Sequence, residues 1–106
     1  MTKQDIERFF SAKFKTYRAQ NIILRISKNR LNTLRTAFIV SSAVKKNAVA
    51  RNKTRRRMNE ILKFLLPNIK SGYDLVFSYK LENKKPPSFK DLKNGIIELL
   101  TLCGAL

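Results

Sequence analysis

The sequence predicts an α+β fold, a mixed α/β sandwich whose elements follow the order helix, strands, helix, strand, helix. Three segments repeat apolar residues at helical spacing, and three shorter segments are rich in β-branched and aromatic residues. The chain has 106 residues, of which 43% are hydrophobic, enough for one modest core but not for two. We therefore expect a single domain over residues 1–106.

The first element is predicted to be a short amphipathic helix over residues 5–15. That segment contains no glycine or proline, so nothing in it favours a break. Its apolar side chains recur at helical spacing and are expected to face the rest of the molecule: Ile6, Phe9, Phe10 and Phe14.

Three segments are predicted to be strands. Residues 20–27 are β-branched and roughly alternating toward their end, and residues 28–34, which include two asparagines, predict the turn that follows. Residues 36–41 are nearly apolar throughout, which is typical of a central strand covered on both faces. Residues 73–79 are the third predicted strand, after a turn at residues 70–72.

The longest predicted helix lies between Asn47, whose side chain is a favourable N-cap, and about Leu66, where Pro67 stops it. At about 100° per residue, one stripe is mostly apolar and is expected to be buried: Ala50, Thr54, Met58, Ile61, Leu62 and Leu65. The rest of the circumference is polar or cationic: Arg51, Asn52, Lys53, Arg55, Arg56 and Arg57. Half of this helix is therefore predicted core and half is a cationic face.

A last helix is predicted to begin after Ser88. Asp91 stands three residues further on, so the two resemble the start of a capping box. Gly95 inside the helix lowers its intrinsic stability by roughly 1 kcal/mol. The stripe expected to be buried is apolar: Phe89, Leu92, Ile96, Leu99 and Leu100.

Positive charge dominates the composition, since 23 Lys and Arg against 7 Asp and Glu give a formal net charge of +16. Seven of these cations, and no acid, lie between Ser41 and Asn59: Lys45, Lys46, Arg51, Lys53, Arg55, Arg56 and Arg57. Like charges four residues apart repel on a helix, so a solvated face usually mixes signs. A tract without acids favours a phosphate partner, and an arginine can hold two phosphate oxygens or stack on a base.

The chain offers little for catalysis by its own side chains. It has no histidine, and its one cysteine, Cys103, allows neither an intramolecular disulfide nor a cysteine metal cluster. Its acids are scattered, and no Gly-rich phosphate loop is present. The apolar runs are far shorter than the roughly 20 residues that span a bilayer, and no signal peptide is visible. We expect a soluble cytoplasmic protein that binds a polyanion.

Aromatic residues accompany the charge, and unpaired bases stack on such rings. A cleft between the first helix and the sheet is therefore expected to hold single-stranded RNA. Only one or two of the rings can line that cleft, and the others are expected to pack in the core: Phe9, Phe10, Phe14, Tyr17 and Phe38.

Residues 40–60 resemble the signature of the bacterial ribonuclease P protein family. They run Val-Ser, then a lysine pair, then Ala-Val-Ala-Arg-Asn-Lys at the start of an arginine-rich helix. Residues 5–10, 72–77 and 88–92 are similar, in the same order, to the family's first helix, to its strand after the basic helix and to the start of its last helix. The resemblance thus covers nearly the whole chain.

Membership would imply an αβββαβα fold with a central four-stranded sheet, in which the long basic helix joins two parallel strands. It would also imply a non-catalytic protein subunit that binds the catalytic RNA of ribonuclease P and the 5′ leader of precursor tRNA. Mg²⁺ ions, held mainly by the RNA, would then activate the water that removes the leader to give the mature tRNA 5′ end.

The resemblance also assigns residues by position. Those expected to contact RNA lie in the basic tract: Lys45, Lys46, Arg51, Asn52, Lys53, Arg55 and Arg56. Those expected in the leader cleft come from the first helix and the sheet: Phe10, Ile22 and Leu24. The sequence departs from the family pattern at Ile6, where an aromatic is usual, at Ser42 and Ala43, where lysines are usual, and at Asn59, where an arginine is frequent.

Other classes share parts of this pattern. A ribosomal-type protein that binds folded RNA structurally would need the basic helix but no aromatic cleft. A membrane-active basic protein is disfavoured by three predicted strands and a full core stripe in the basic helix. A DNA-binding module should show two closely spaced helices, which the sequence lacks. We therefore expect neither a membrane nor DNA as the partner.

Overall fold

The computed structural model describes residues 1–42, 47–82 and 85–106 and has the expected α+β architecture, three helices and one four-stranded sheet. The elements follow in the order αβββαβα, with a short 3₁₀ turn, Leu66–Asn68, after the second helix. Their bounds are α1 Lys3–Ser11, β1 Lys15–Ala19, β2 Ile22–Lys28, β3 Arg35–Ser42, α2 Ala48–Leu65, β4 Tyr73–Leu81 and α3 Phe89–Leu102.

The strands lie in the order β1-β2-β4-β3. The β1–β2 and β2–β4 pairs are antiparallel, whereas β3 and β4 are parallel and α2 connects them. The prediction that residues 36–41 form a central strand is therefore wrong, because β3 lies at an edge. Its apolar composition has another cause: Val40 is buried in the core on the α2 side, and Ala37 is buried in the cluster around α1.

The structure corrects the first helix, which ends at Ser11 and not at residue 15. Ala12 has an extended backbone (φ −102°, ψ 179°), and the chain then enters β1, a strand that the residue pattern alone did not predict. Most of β1 is polar and exposed, so it lacks the alternation that marks a half-buried strand. Phe14 lies in the connection, where its ring stacks on Phe9 with centroids 5.2 Å apart.

The main core lies between one face of the sheet and the helices α2 and α3. The predicted stripe of α2 is confirmed, because the same six residues are the buried ones. Asn47 occupies the N-cap position as expected, but its side chain does not cap the helix; its Nδ2 donates to the Ser42 Oγ at 3.0 Å. Pro67 lies within the 3₁₀ turn that ends α2.

The last helix is capped as predicted, since the Ser88 hydroxyl accepts from the Asp91 backbone N–H at 3.1 Å. The other predicted stripe residues of α3 are buried, but Phe89 is 43% exposed because it is the first helical residue, one turn before the first buried one. Gly95 permits a close approach to the sheet, since a Cβ there would lie 2.7 Å from the Ile22 Cδ1.

A polar network holds α1 on the opposite face of the sheet. Arg35 of β3 donates to both carboxylate oxygens of Asp74 on β4, at 2.8 and 2.7 Å, and pairs with Asp5 of α1 at 3.2 Å. Asn29, in the connection between β2 and β3, donates to Asp74 at 2.8 Å. One guanidinium thus links a helix and two strands.

This network shifts the ionisation of both acids. Burial raises the pKa of Asp74, but hydrogen bonds from Arg35 and Asn29 outweigh burial and hold that pKa below its usual value. Hydrogen bonds from the Thr2 backbone and side chain, helped by the Arg35 charge, lower the pKa of Asp5. Both carboxylates are therefore charged in the folded protein at neutral pH.

We predict that Asp74→Asn lowers the free energy of unfolding at pH 7 by about 1–3 kcal/mol, because Arg35 loses a charged partner. Since the folded pKa of Asp74 lies below 3.8, its contribution is complete above that value and is lost as the pH falls through the folded pKa. The variant should therefore lose less stability than the parent on acidification. Urea denaturation between pH 7 and pH 2 measures both effects, and Glu98→Gln, at an exposed acid of α3, is the control.

Candidate nucleic-acid interface

The outward side of α2 presents the cationic face expected from the sequence. Because the buried stripe faces the sheet, Asn52, Lys53, Arg55 and Arg56 are exposed and Arg51 is half-buried. The Asn52 Oδ1 lies 3.4 Å from the Arg55 Nη1, so side chains one turn apart on this face meet. Two other members of the predicted set, Lys45 and Lys46, lie outside the described residues.

The electrostatics of this face are those of an unneutralised cation cluster. Within residues 1–42, 47–82 and 85–106, the salt bridges are both made by Arg35, on the other side of the sheet. Val49, which is 82% exposed, borders a shallow depression with Asn52, Arg55 and Arg56. The lining of this depression therefore offers the guanidinium groups of Arg55 and Arg56 beside polar and apolar side chains.

Arg57 differs from the other arginines of α2. It is half-buried, and its Nη1 donates to the Pro87 carbonyl oxygen at 2.6 Å. This bond fastens α2 to the segment that leads into α3. Arg57 therefore stabilises the fold, whereas the charges of Arg55 and Arg56 are exposed to solvent.

A second surface lies on the sheet face that α1 covers only in part. Phe10 is 41% exposed and meets Phe9 and Phe14 edge-on, with centroids 5.5 and 5.8 Å apart. Arg25 pairs with Val76 across β2 and β4, and Val76 packs in the cluster below α1. Arg25 and its alternate neighbour Ile23 therefore share the face that carries Phe10.

The expectation that Ile22 and Leu24 line the cleft with Phe10 is wrong. They are 2% and 0% exposed and belong to the core beneath α3, on the opposite face of the sheet. Side chains alternate between faces along a strand, so the run Ile22-Ile23-Leu24 contributes only its middle residue to the α1 side.

Arg25 also lies beside Phe10, a position that the sequence did not predict for it. Its Nη1 donates to the Ser78 Oγ at 3.0 Å, and its guanidinium carbon lies 5.4 Å from the centre of the Phe10 ring. A cation at this distance is attracted to the face of the ring. The arginine within the otherwise apolar run of residues 22–26 was the available signal, since a half-buried arginine needs partners.

Two of the positions that depart from the family pattern, Ile6 and Ser42, have structural roles. Ile6 packs beside Phe9 in the cluster under α1, where its aliphatic side chain supplies bulk but no base-stacking surface. The Ser42 hydroxyl accepts from Asn47, as described above. Asn59 is exposed on α2, and Ala43 lies outside the described residues.

Neither a metal centre nor a membrane span is evident in the part of the chain that the structure describes. No three His, Cys, Asp or Glu residues there lie close enough to hold an ion together. None of the described helices is both long and apolar enough to cross a bilayer.

The comparisons with known proteins agree on one family. A family model described as Ribonuclease P matches residues 1–103. The ribonuclease P protein component of Chloroflexus aurantiacus is 37% identical over 86 residues, which cover 81% of this chain and 63% of that protein. The protein of the same name from Clostridium botulinum (strain Langeland) is 35% identical over 91 residues, covering 85% and 80%.

A solved structure shows the same fold. The ribonuclease P protein of Staphylococcus aureus superposes with a TM-score of 0.81 and 20% identity, covering 99% of this chain and 94% of that one. At that identity the likeness supports the fold alone. The matched region spans less than two thirds of the Chloroflexus protein's length.

We predict that Arg57→Ala and Arg55→Ala affect stability differently. Arg57→Ala should lower the free energy of unfolding by about 1 kcal/mol, because a half-buried hydrogen bond to Pro87 is lost. Arg55→Ala should leave it unchanged or raise it slightly, since a like-charge repulsion with Arg51 is removed. Urea denaturation of both variants is the measurement, and equal losses would contradict the distinction.

Proposed function

The chain belongs to the ribonuclease P protein family, and on that premise we propose that it is the non-catalytic protein subunit of ribonuclease P. In this role it binds the catalytic RNA and the 5′ leader of precursor tRNA, and so assists endonucleolytic removal of the leader. Residues 1–106 act together as one RNA-binding domain in the cytoplasm.

The cationic face of α2 is the proposed contact with the catalytic RNA, and it is the observation that carries the proposal. Buried packing of the opposite stripe holds the helix in one orientation, so its exposed cations form a fixed array, and none of them makes a salt bridge within the described residues. RNA phosphates would relieve their mutual repulsion and release counterions on binding. The proposed contacts are Arg51, Asn52, Lys53, Arg55 and Arg56, with Lys45 and Lys46 ahead of the helix.

The surface around Phe10 is the proposed contact with the leader. Phe10 offers an exposed ring for a base, and Arg25 beside it offers a planar cation for a phosphate or a second base. Arg25 takes the role first expected of Ile22 and Leu24. With Ile6 in place of the usual aromatic, this chain has one ring and one guanidinium at the cleft instead of two rings.

The chemistry of cleavage is assigned to the RNA. Mg²⁺ held mainly by the catalytic RNA would activate the attacking water and stabilise the leaving oxygen. The proposed work of the protein side chains is to bind and orient the two RNA molecules. Binding the leader and the catalytic RNA on one protein would raise the affinity for precursor over mature tRNA.

We predict that the purified chain restores cleavage by a bacterial ribonuclease P RNA at low Mg²⁺, at the mature 5′ end of a precursor with a leader. Arg51→Ala/Asn52→Ala should lower this stimulation at least tenfold at limiting protein, because contacts to the catalytic RNA are lost. Lys70→Ala, at an exposed lysine in the turn before β4, should not change it. Cleavage rates at increasing protein concentration measure the effect.

The same assay tests the leader surface. Phe10→Leu should weaken binding of a precursor with a leader by about 1–3 kcal/mol, the value of one stacked base, and should not affect a leaderless substrate. Strong RNA binding without any stimulation of cleavage would overturn the proposal and indicate a structural RNA-binding protein. Equal loss with both substrates would remove Phe10 from the leader contact.

A further inference from the structure

A groove lies at the β1 edge of the sheet, apart from the cationic face of α2. It is on the face of β2 that packs against α2 and α3. Three aromatic side chains and three lysines line it, together with the lone cysteine, and no carboxylate is among the lining residues. The aromatic side chains are Phe14, Tyr17 and Tyr73, and the lysines are Lys13, Lys15 and Lys28.

The strand register explains why these residues meet. Lys15 pairs with Ile26 across β1 and β2, and Lys28 pairs with Tyr73 across β2 and β4, so these side chains share one face. Tyr17 and Tyr73 are half-buried against the main core, which holds their rings in place. The lysines are exposed at the rim. The groove thus has a rigid aromatic floor and a cationic edge.

The groove is continuous with the Phe10 surface through Phe14. The ring of Phe14 lines the groove and also meets Phe10 edge-on, with centroids 5.8 Å apart. Phe14 is in turn stacked on the buried Phe9, which limits its movement. A strand of RNA whose base rests on Phe10 therefore has an unbroken path of rings and cations toward β1.

We propose that this groove binds single-stranded RNA, namely the part of the precursor leader that lies beyond the nucleotides at Phe10. Lysine ammonium groups would neutralise its phosphates, and the tyrosine and phenylalanine rings would take its bases. The absence of carboxylates from the lining matches a polyanion and disfavours a basic peptide. The assignment rests on the proposed leader contact at Phe10 and extends it.

The lone cysteine provides a probe inside the groove. Cys103 is half-buried and lines the groove beside Tyr17 and Tyr73, so an occupant should slow its alkylation by iodoacetamide. The alkylation rate of Cys103 is measured in the complete complex of protein, catalytic RNA and precursor, with leaders lengthened one nucleotide at a time. Short leaders should leave this alkylation rate unchanged. The alkylation rate should fall once the leader is long enough to reach the groove.

A paired substitution tests the charges. Lys13→Ala/Lys15→Ala should weaken binding of long-leader precursors roughly fivefold to tenfold and lower the salt dependence of log Kd by about 0.7 per lysine. Precursors with the shortest leaders should bind this variant as tightly as they bind the parent chain. Lys70→Ala/Lys90→Ala removes the same charge from exposed positions outside the groove and should have no leader-length effect.

The outcomes separate this site from the leader contact at Phe10. If Phe10→Leu weakens all leaders while the lysine pair has no length-dependent effect and Cys103 is never protected, the groove does not bind RNA. If neither substitution changes precursor binding in a way that depends on the leader, the proposed leader contact itself is wrong. Protection of Cys103 by catalytic RNA alone would assign the groove to that RNA and overturn the leader assignment.

Discussion

The packing of α2 against the sheet is the interaction on which the rest of the structure depends. Parallel strands such as β3 and β4 need a long connection, and α2 provides it by lying across one face of the sheet. Its buried stripe includes Met58 and Ile61, which are 0% and 1% exposed. A shift of one residue would turn the helix by about 100° and bring arginines toward the core. Core packing thereby orients the charge.

The other face of the sheet is organised by Arg35. Its bonds to Asp5 and Asp74 place α1 over one end of that face and leave the strands beyond Phe10 accessible. The protein therefore separates its two main proposed contacts by the thickness of a β-sheet, with the catalytic RNA on the α2 side and the leader nucleotides at Phe10 on the α1 side. The groove beside Tyr17 extends the second surface around the edge of the sheet.

The buried face of α2 could be predicted from the sequence, whereas the buried faces of the strands could not. Six residues spread over α2 defined its stripe, so a single misplaced residue could not change its orientation. In β2 the run Ile22-Ile23-Leu24 has no alternation, and nothing local shows which residues face the core. β3 is also apolar without alternation, and this pattern suggested a central strand. It is an edge strand that has helices on both of its faces, which explains its apolar residues. Arg35 and Asp74 are 39 residues apart, so their pairing required the fold.

The central claim is that the cationic face of α2 and the surface around Phe10 bind different RNA molecules, the catalytic RNA and the precursor leader. The affinity of the chain for ribonuclease P RNA alone, measured over a range of salt concentrations, tests it most directly. Arg55→Ala/Arg56→Ala should weaken binding and lower the salt slope by about 0.7–0.9 per arginine, whereas Phe10→Leu should change neither. An equal loss for Phe10→Leu, or unchanged binding for the arginine variant, would contradict the account.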